Sequence, residues 1–212
     1  MDNDLEKDLA YLSGAIHDGC LVKRKTVKRF DIQFYQKNSE WLEKSILKRL
    51  KKFGINTKIR GPRKNVYYLK FGNKWLYKEI EKRMYSIPKN KTLQLLFIRG
   101  FWDAEGSCPH VERYMTNETK RKKIPPQIGF HQNGRKDILV GIREALIKTG
   151  IMCSKIEGPI KRDVNKKPEF RFFIYSVGRI KKFFDLIQPE HPEKRKRLIL
   201  LLQNVNPTNR KL

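Results

Sequence analysis

Apolar residues near the start of the chain recur at helical spacing, Leu5, Leu9, Leu12 and Ile16, and Gly19 follows. This predicts an amphipathic helix that stops just before the glycine. The period then changes. Leu21 to Lys28 is basic with Val22, Thr26 and Val27, and Phe30 to Tyr35 alternates Phe30, Ile32 and Phe34 with Asp31, Gln33 and Tyr35. Strict alternation predicts a strand with one dry and one wet face. A helix follows, N-capped by Ser39, with Trp41, Leu42, Ile46, Leu50 and Phe53 on its inner stripe and Gly54 at its end. A second hairpin, Thr57 to Arg60 and Val66 to Phe71, turns through Gly61-Pro62, and a helix from Asn73 to Met84 closes the unit.

The same layout returns. Gln36-Lys37 recurs as Gln132-Asn133, Gly54-Ile55 as Gly150-Ile151 and Gly61-Pro62 as Gly158-Pro159, at offsets of 96, 96 and 97 (132 − 36, 150 − 54, 158 − 61). Steady offsets across unrelated residue types imply a duplicated domain. The second copy runs through a helix from Leu93 to Ala104, an irregular hairpin from Ser107 to His131, a helix from Lys136 to Thr149, a hairpin from Lys155 to Tyr175 and a helix from Val177 to Gln188. One more helix is expected from His191 to Gln203. The expected fold is α+β, two pseudo-symmetric αββαββα repeats with antiparallel sheets covered by helices on the dry side. Repeats are expected at 1–88 and 89–188, with a basic tail at 189–212.

Both copies open on a helix that ends in an acid followed by glycine, Asp18-Gly19 and Glu105-Gly106. An acid at the last helical position meets the negative pole of the helix dipole. Its recurrence there points to a compensating cation, and carboxylate with carbonyl oxygens suits magnesium or calcium. Taken alone, each acid and glycine is equally a plain helix end with its cap.

Charge narrows the partner. The 212 residues carry 48 Lys and Arg against 22 Asp and Glu, a net +26, which calls for a polyanion: DNA, RNA or a membrane surface. No long uncharged apolar run spans a membrane, and the acidic start is unlike a signal peptide, so a soluble intracellular protein is expected. Three cysteines, Cys20, Cys108 and Cys153, have neither disulfide nor zinc spacing. Polar residues of wet-face parity include Arg24, Thr26, Lys28, Asp31, Gln33, Tyr35 and Tyr68 in the first half. In the second they are Gln127, His131, Lys155, Arg171 and Tyr175; Arg60, Arg63 and Lys64 sit in the hairpin loop. Such a mixture can contact both phosphates and base edges.

The segments Tyr11-Leu-Ser-Gly-Ala-Ile-His-Asp-Gly19 and Ile98-Arg-Gly-Phe-Trp-Asp-Ala-Glu-Gly106 resemble the motif that names the LAGLIDADG homing endonucleases. Gly100, Asp103, Ala104, Glu105 and Gly106 match it closely. Aligned on Asp18, Ser13 takes the small-residue slot and Ile16 replaces the motif's first acid. The resemblance covers Leu5 to Gln188 and implies a monomeric, intron-encoded nuclease whose paired motif helices meet at the repeat interface beneath a saddle of eight strands. It implies catalytic acids Asp18 and Glu105, helped by Gln36, Gln132 and Lys70. Metal would be held by those acids and by the backbone carbonyls of His17 and Ala104. Lys37 and Asn133 join the DNA-facing set. Mg2+ is the implied cofactor, with Ca2+ or Mn2+ substituting for binding or activity, and double-stranded DNA is the partner. In the second half the counterpart of Lys70 reads as Tyr175, so a basic helper stands on one side only. Two other readings stay open: a maturase that binds its host intron RNA, and a DNA-binding regulator of the same fold without catalysis.

Overall fold

The computed structural model describes residues 2–24, 26, 28–108, 126–161, 165 and 167–204. They form two compact units. One comprises the chain up to Glu105 together with Pro189–Pro192, and the other Gly106–Gln188 with the chain from Glu193 onward.

In the first unit α1 (Asn3–Ala15) is capped by the Asp2 carboxylate, which accepts from the Asp4 amide at 3.2 Å. It tightens into a 3-10 turn, Ile16–Asp18, and β1 (Gly19–Arg24) follows. Next come β2 (Arg29–Gln36), α2 (Ser39–Trp41) and α3 (Lys48–Lys52). A widened π segment, Leu42–Leu47, joins the two helices, and its longer turn helps keep Trp41, Leu42, Ile46 and Leu50 in the core. The cap is Asn38, one residue earlier than expected, since its side chain reaches the Trp41 amide at 2.8 Å. The unit continues with β3 (Arg60–Arg63), β4 (Val66–Gly72), α4 (Lys74–Arg83) and α5 (Lys91–Glu105). Thr57 to Ile59, expected in a strand, precede β3 unpaired in the sheet, and Gly61-Pro62 lies within it.

The second unit holds β5 (Gly106–Ser107), β6 (Gln127–Asn133), α6 (Lys136–Lys148), β7 (Glu157–Ile160), β8 (Glu169–Tyr175), α7 (Val177–Ile187) and the larger part of α8 (Pro192–Asn204). The irregular part of the expected hairpin, residues 109–125, lies outside the described residues. Lys155 precedes β7 instead of starting it.

Each sheet has four antiparallel strands in the same order, β1-β2-β4-β3 and β5-β6-β8-β7. Registers match as well: Gly19 faces Phe34 and Phe34 faces Leu69, while Gly106 faces Phe130 and Phe130 faces Phe172. Dry faces bury Ile32, Phe34, Leu69 and Phe71 in one sheet and Ile128, Phe130, Phe172 and Ile174 in the other. In the second unit Phe130 stacks on Phe172 at 4.7 Å and meets Phe183 of α7 edge-on at 5.8 Å. Removing such side chains from water supplies roughly 25 cal/mol per Å2 of apolar surface, and the helices cover only these faces. The opposite face is left polar.

Candidate functional site: two acid-tipped helices and their polar sheets

α1 and α5 lie against each other within the first unit, and the 3-10 turn packs on α5 as well. Gly14 and Gly100 form the crossing. A Cβ built on Gly14 would sit 2.1 Å from the Phe97 carbonyl oxygen, and one on Gly100 2.1 Å from that of Tyr11. The small-residue slot of the first motif is therefore Gly14, not Ser13, which corrects the sequence alignment. It leaves the first motif one residue shorter between glycine and acid.

The 3-10 turn absorbs that difference. From Gly100 to Glu105 are five α-helical steps of about 1.5 Å, about 7.5 Å along the axis. From Gly14 to Asp18 are one such step and three of about 2.0 Å, again about 7.5 Å. Asp18 is thus in a 3-10 turn and not at the end of the α-helix as expected, because only the tighter winding carries it that far.

Asp18 is half-buried and held from the sheet. The Gln36 amide nitrogen donates to its Oδ2 at 2.9 Å, while Gln36 Oε1 accepts the Lys37 backbone amide at 2.8 Å, so both ends of the carboxamide are used. Gln36 ends β2 with dry-face parity, opposite Tyr67, which turns it toward the helix tip. Gln132, next to last in β6, stands at the matching register position, opposite Phe170, and is buried. The His17 imidazole bonds the Met84 carbonyl at 2.7 Å and packs on Phe101 at 4.9 Å. Its side chain therefore anchors the turn.

Asp103, the other acid of the second motif, is fully buried. It accepts the Tyr11 hydroxyl at 2.8 Å and the backbone amides of Glu190 and His191, each at 3.1 Å. Trp41 Nε1 in turn donates to the Tyr11 hydroxyl at 2.9 Å. Burial first, and then the charge of Asp103, push the Tyr11 hydroxyl well above the ordinary tyrosine range. Glu190 accepts a bidentate pair from Arg49 at 2.8 and 2.7 Å, and the Arg49 guanidinium lies 3.7 Å from the Tyr11 ring centroid. This buried network holds α1, α5 and residues 189–192 together. Tyr11, Arg49 and Glu190 were not singled out in the sequence, where nothing marks partners so far apart in the chain.

The wet faces gather many of the expected contact residues, with corrections. Asp31 and Gln33 have the right parity but are buried. Asp31 takes Arg29 at 2.6 Å and Arg24 at 3.5 Å, and Gln33 accepts the Tyr35 hydroxyl. The Tyr35 hydroxyl is pushed up by burial and by neighbouring Cys20. Tyr68 lies across from Tyr35, ring centroids 6.3 Å apart. Thr26, Lys28, Lys37, Arg60, Arg63 and Lys64 are exposed, Lys28 and Lys64 with left-handed backbones in turns. On the second sheet Gln127, His131 and Asn133 of β6 share a face with Tyr175, Arg171 and Glu169 of β8, and Lys155 is exposed.

Register also revises a correspondence. Lys70 pairs with Gln33, and the matching pair on the second sheet is Phe173 with Gly129. The counterpart of Lys70 is thus Phe173, not Tyr175, which lies two positions further along β8 and pairs with Gln127. Ser107 and Glu169 were missed by sequence reasoning. Ser107 directly follows the motif glycine, as Cys20 does in the first copy, and that repeated place is the signal available. Burial pushes the Cys108 thiol up to about 12 and the Cys153 thiol to about 11, so both stay protonated near neutrality.

The donors offered at the helix tips are oxygens throughout: two carboxylates and the carbonyls that precede them. Such a set fits a hard divalent ion. Among the described residues no group of three or more His, Cys, Asp and Glu stands together to hold a metal. The two acids would need oxygens from the backbone or from a bound phosphate to complete a shell.

No family model matches the chain. A curated relative, homing endonuclease I-ApeI of Aeropyrum pernix, is 23% identical over 222 residues, covering 96% of this chain and 91% of its own. The homing endonuclease I-DmoI, solved in complex with DNA and calcium, matches with a TM-score of 0.65 at 18% identity, over 93% of this chain and 98% of its own. The N-terminal LAGLIDADG domain of DUF199/WhiA matches with a TM-score of 0.61 at 17% identity, over 88% and 84%. The chain has the fold of these LAGLIDADG proteins. In that fold α1 with its 3-10 turn and α5 carry the two acid-glycine segments, and the two four-stranded sheets carry the polar faces. Among the described residues no helix is long and apolar enough to cross a membrane.

Proposed function

We propose that this protein is a site-specific homing endonuclease of the LAGLIDADG family that makes a divalent-metal-dependent double-strand break in DNA at a long, pseudo-palindromic target. It works as a soluble intracellular monomer whose repeats span 1–88 and 89–188, with a basic tail at 189–212. The observation that carries this reading is the glycine crossing of α1 and α5, which sets both acids at the same axial distance from the contact.

I-DmoI has been solved with its target DNA in the presence of magnesium and in complex with DNA and manganese or calcium. By analogy a divalent ion, magnesium in the cell, would be held by Asp18, Glu105 and the carbonyls of His17 and Ala104. When bound it supplies an activated water and charge neutralisation at the leaving oxygen. Gln36 fixes the Asp18 carboxylate so that its second oxygen keeps one direction. Gln132 has the same strand position for the other acid. Lys70, on the wet face of the first sheet, adds positive charge beside one strand only, since Phe173 occupies its counterpart. The +26 charge contributes sequence-blind affinity through counterion release, and sequence selection falls to the sheet faces.

The test is cleavage of a library of long duplexes in magnesium, with sequencing of the cut ends. Asp18→Asn should bind duplex in calcium and fail to cut in magnesium. Full double-strand cleavage by that variant would falsify the assignment.

A further inference from the structure

On the second sheet three polar side chains form a relay, where the corresponding places of the first sheet join only Cys20 to Tyr35. Ser107 Oγ lies 2.8 Å from His131 Nε2, and His131 Nδ1 lies 3.0 Å from Glu169 Oε1. Gly129 makes the room, since a Cβ there would come within 2.6 Å of both Ser107 Oγ and His131 Nε2. Ser107 is exposed, while His131 and Glu169 are partly covered. By strand register the corresponding places on the first sheet are Cys20, Tyr35 and Val66.

We propose that Ser107 reads a base edge in the DNA target, and that His131 and Glu169 decide whether its hydroxyl acts as acceptor or donor. The proposal rests on the reading of the sheets as the DNA-facing surface. An ionised carboxylate only accepts, so Glu169 keeps the proton of a neutral His131 on Nδ1. Nε2 is then an acceptor and takes the Ser107 proton. What Ser107 shows outward in that state is oxygen lone pairs, which match the exocyclic amines of adenine and cytosine. When His131 gains a proton, Nε2–H donates to Ser107 Oγ. The hydroxyl hydrogen turns outward and matches guanine N7 and O6 or thymine O4, and also adenine N7, so cytosine alone is left without an acceptor for it. One proton on the imidazole thus inverts the polarity of the hydroxyl bonded to it.

Other charges face the same spot. Arg171, opposite His131 on β8, gives its Nε to Glu157 of β7 at 2.8 Å, with its guanidinium 5.3 Å from the Phe173 ring centroid. Lys167 lies over Gly134, just past the end of β6. Imidazole is the side chain whose ordinary titration falls in the range where duplex DNA remains paired.

The full-length protein, in calcium, is used to select bound sequences from a randomised duplex library at about pH 8.5 and about pH 5.5. At one position in one half of the site, cytosine should lose and guanine or thymine gain preference between the higher and the lower pH, by about fivefold. In His131→Gln the preference at that position should be the same at both pH values, and in Ser107→Ala it should be flat at both. Sequence-selective binding with no pH-dependent position overturns the proposal and leaves the endonuclease reading standing. A shift that survives in His131→Gln does the same. Absence of any enrichment at either pH removes both.

Discussion

Gly14 and Gly100 occupy each other's contact. Each lies against the carbonyl three residues before its partner, Phe97 for Gly14 and Tyr11 for Gly100, and each would bring a Cβ to 3.0 Å or less from a backbone nitrogen, of Phe101 and Ala15 respectively. The exchange is reciprocal, so the helices cross backbone to backbone, and the positions of both acids follow from one contact.

Gly100→Ala should therefore force the helices apart, since the obstructing atoms are backbone and cannot rotate away. Overpacking of this kind costs roughly 1–3 kcal/mol. Chemical denaturation should show a lower midpoint at unchanged slope. Cleavage should fall further than duplex binding, because the acids move while the sheets remain.

Gln36 reaches the Asp18 carboxylate directly, at 2.9 Å. Its removal in Gln36→Ala should lower single-turnover cleavage by roughly 10- to 100-fold, the usual range for a group that orients a metal ligand. Duplex affinity in calcium should change little. An unaltered cleavage rate would show that the 2.9 Å bond has no role in positioning the acid.

The Lys70 and Phe173 pair makes the halves chemically unequal. Lys70→Met should slow one strand selectively and allow nicked duplex to accumulate in a supercoiled-plasmid assay. Equal slowing of both strands would count against a one-sided helper.

Asp103 is a buried acid that accepts from three groups, the Tyr11 hydroxyl and the backbone amides of Glu190 and His191. Asp103→Ala should cost about 2–4 kcal/mol, by leaving the Tyr11 hydroxyl and the amides of Glu190 and His191 without it. Asp103→Asn keeps an acceptor oxygen and should cost less, which thermal unfolding of the two variants would reveal.

Glu190 links this network to pH. Burial opposes its charge, but the hydrogen bonds and charge of Arg49 prevail, with Arg99 adding to them, and the net shift is below the ordinary 4.5. A carboxyl whose folded value is depressed contributes stability above its unfolded value and loses it as pH falls through the folded one. Acidification below about pH 4.5 should therefore lower the melting temperature. Glu190→Gln should show a shallower fall over the same window.

Much of the fold was legible because the period of apolar residues changes cleanly between helix and strand. Phe30, Ile32 and Phe34 alternate because one face is dry, and the offset of 96 between Gln36 and Gln132 carries through to equivalent register positions. Errors arose where local pattern lacks the deciding information. The motif alignment placed Ser13 at the crossing because it counted back from Asp18, and only the 3-10 turn shows that a residue is missing. Asp31 reads as a wet-face residue from its parity, yet Arg24 and Arg29 cover it. Phe173, two residues from Tyr175, replaces it as the counterpart of Lys70 once the strands are paired.

By itself the order of residues determined the duplication, the alternation of helix and sheet, the basic surface and the two acid-glycine helix ends, since each is a short-range pattern or a sum over the chain. Tertiary structure alone decided which glycines meet, how far each acid lies from that contact, and which side chains Asp18, Asp103 and His131 touch. Those depend on strand register and on helix winding, where a one-residue change of count or a tighter turn redirects every side chain beyond it.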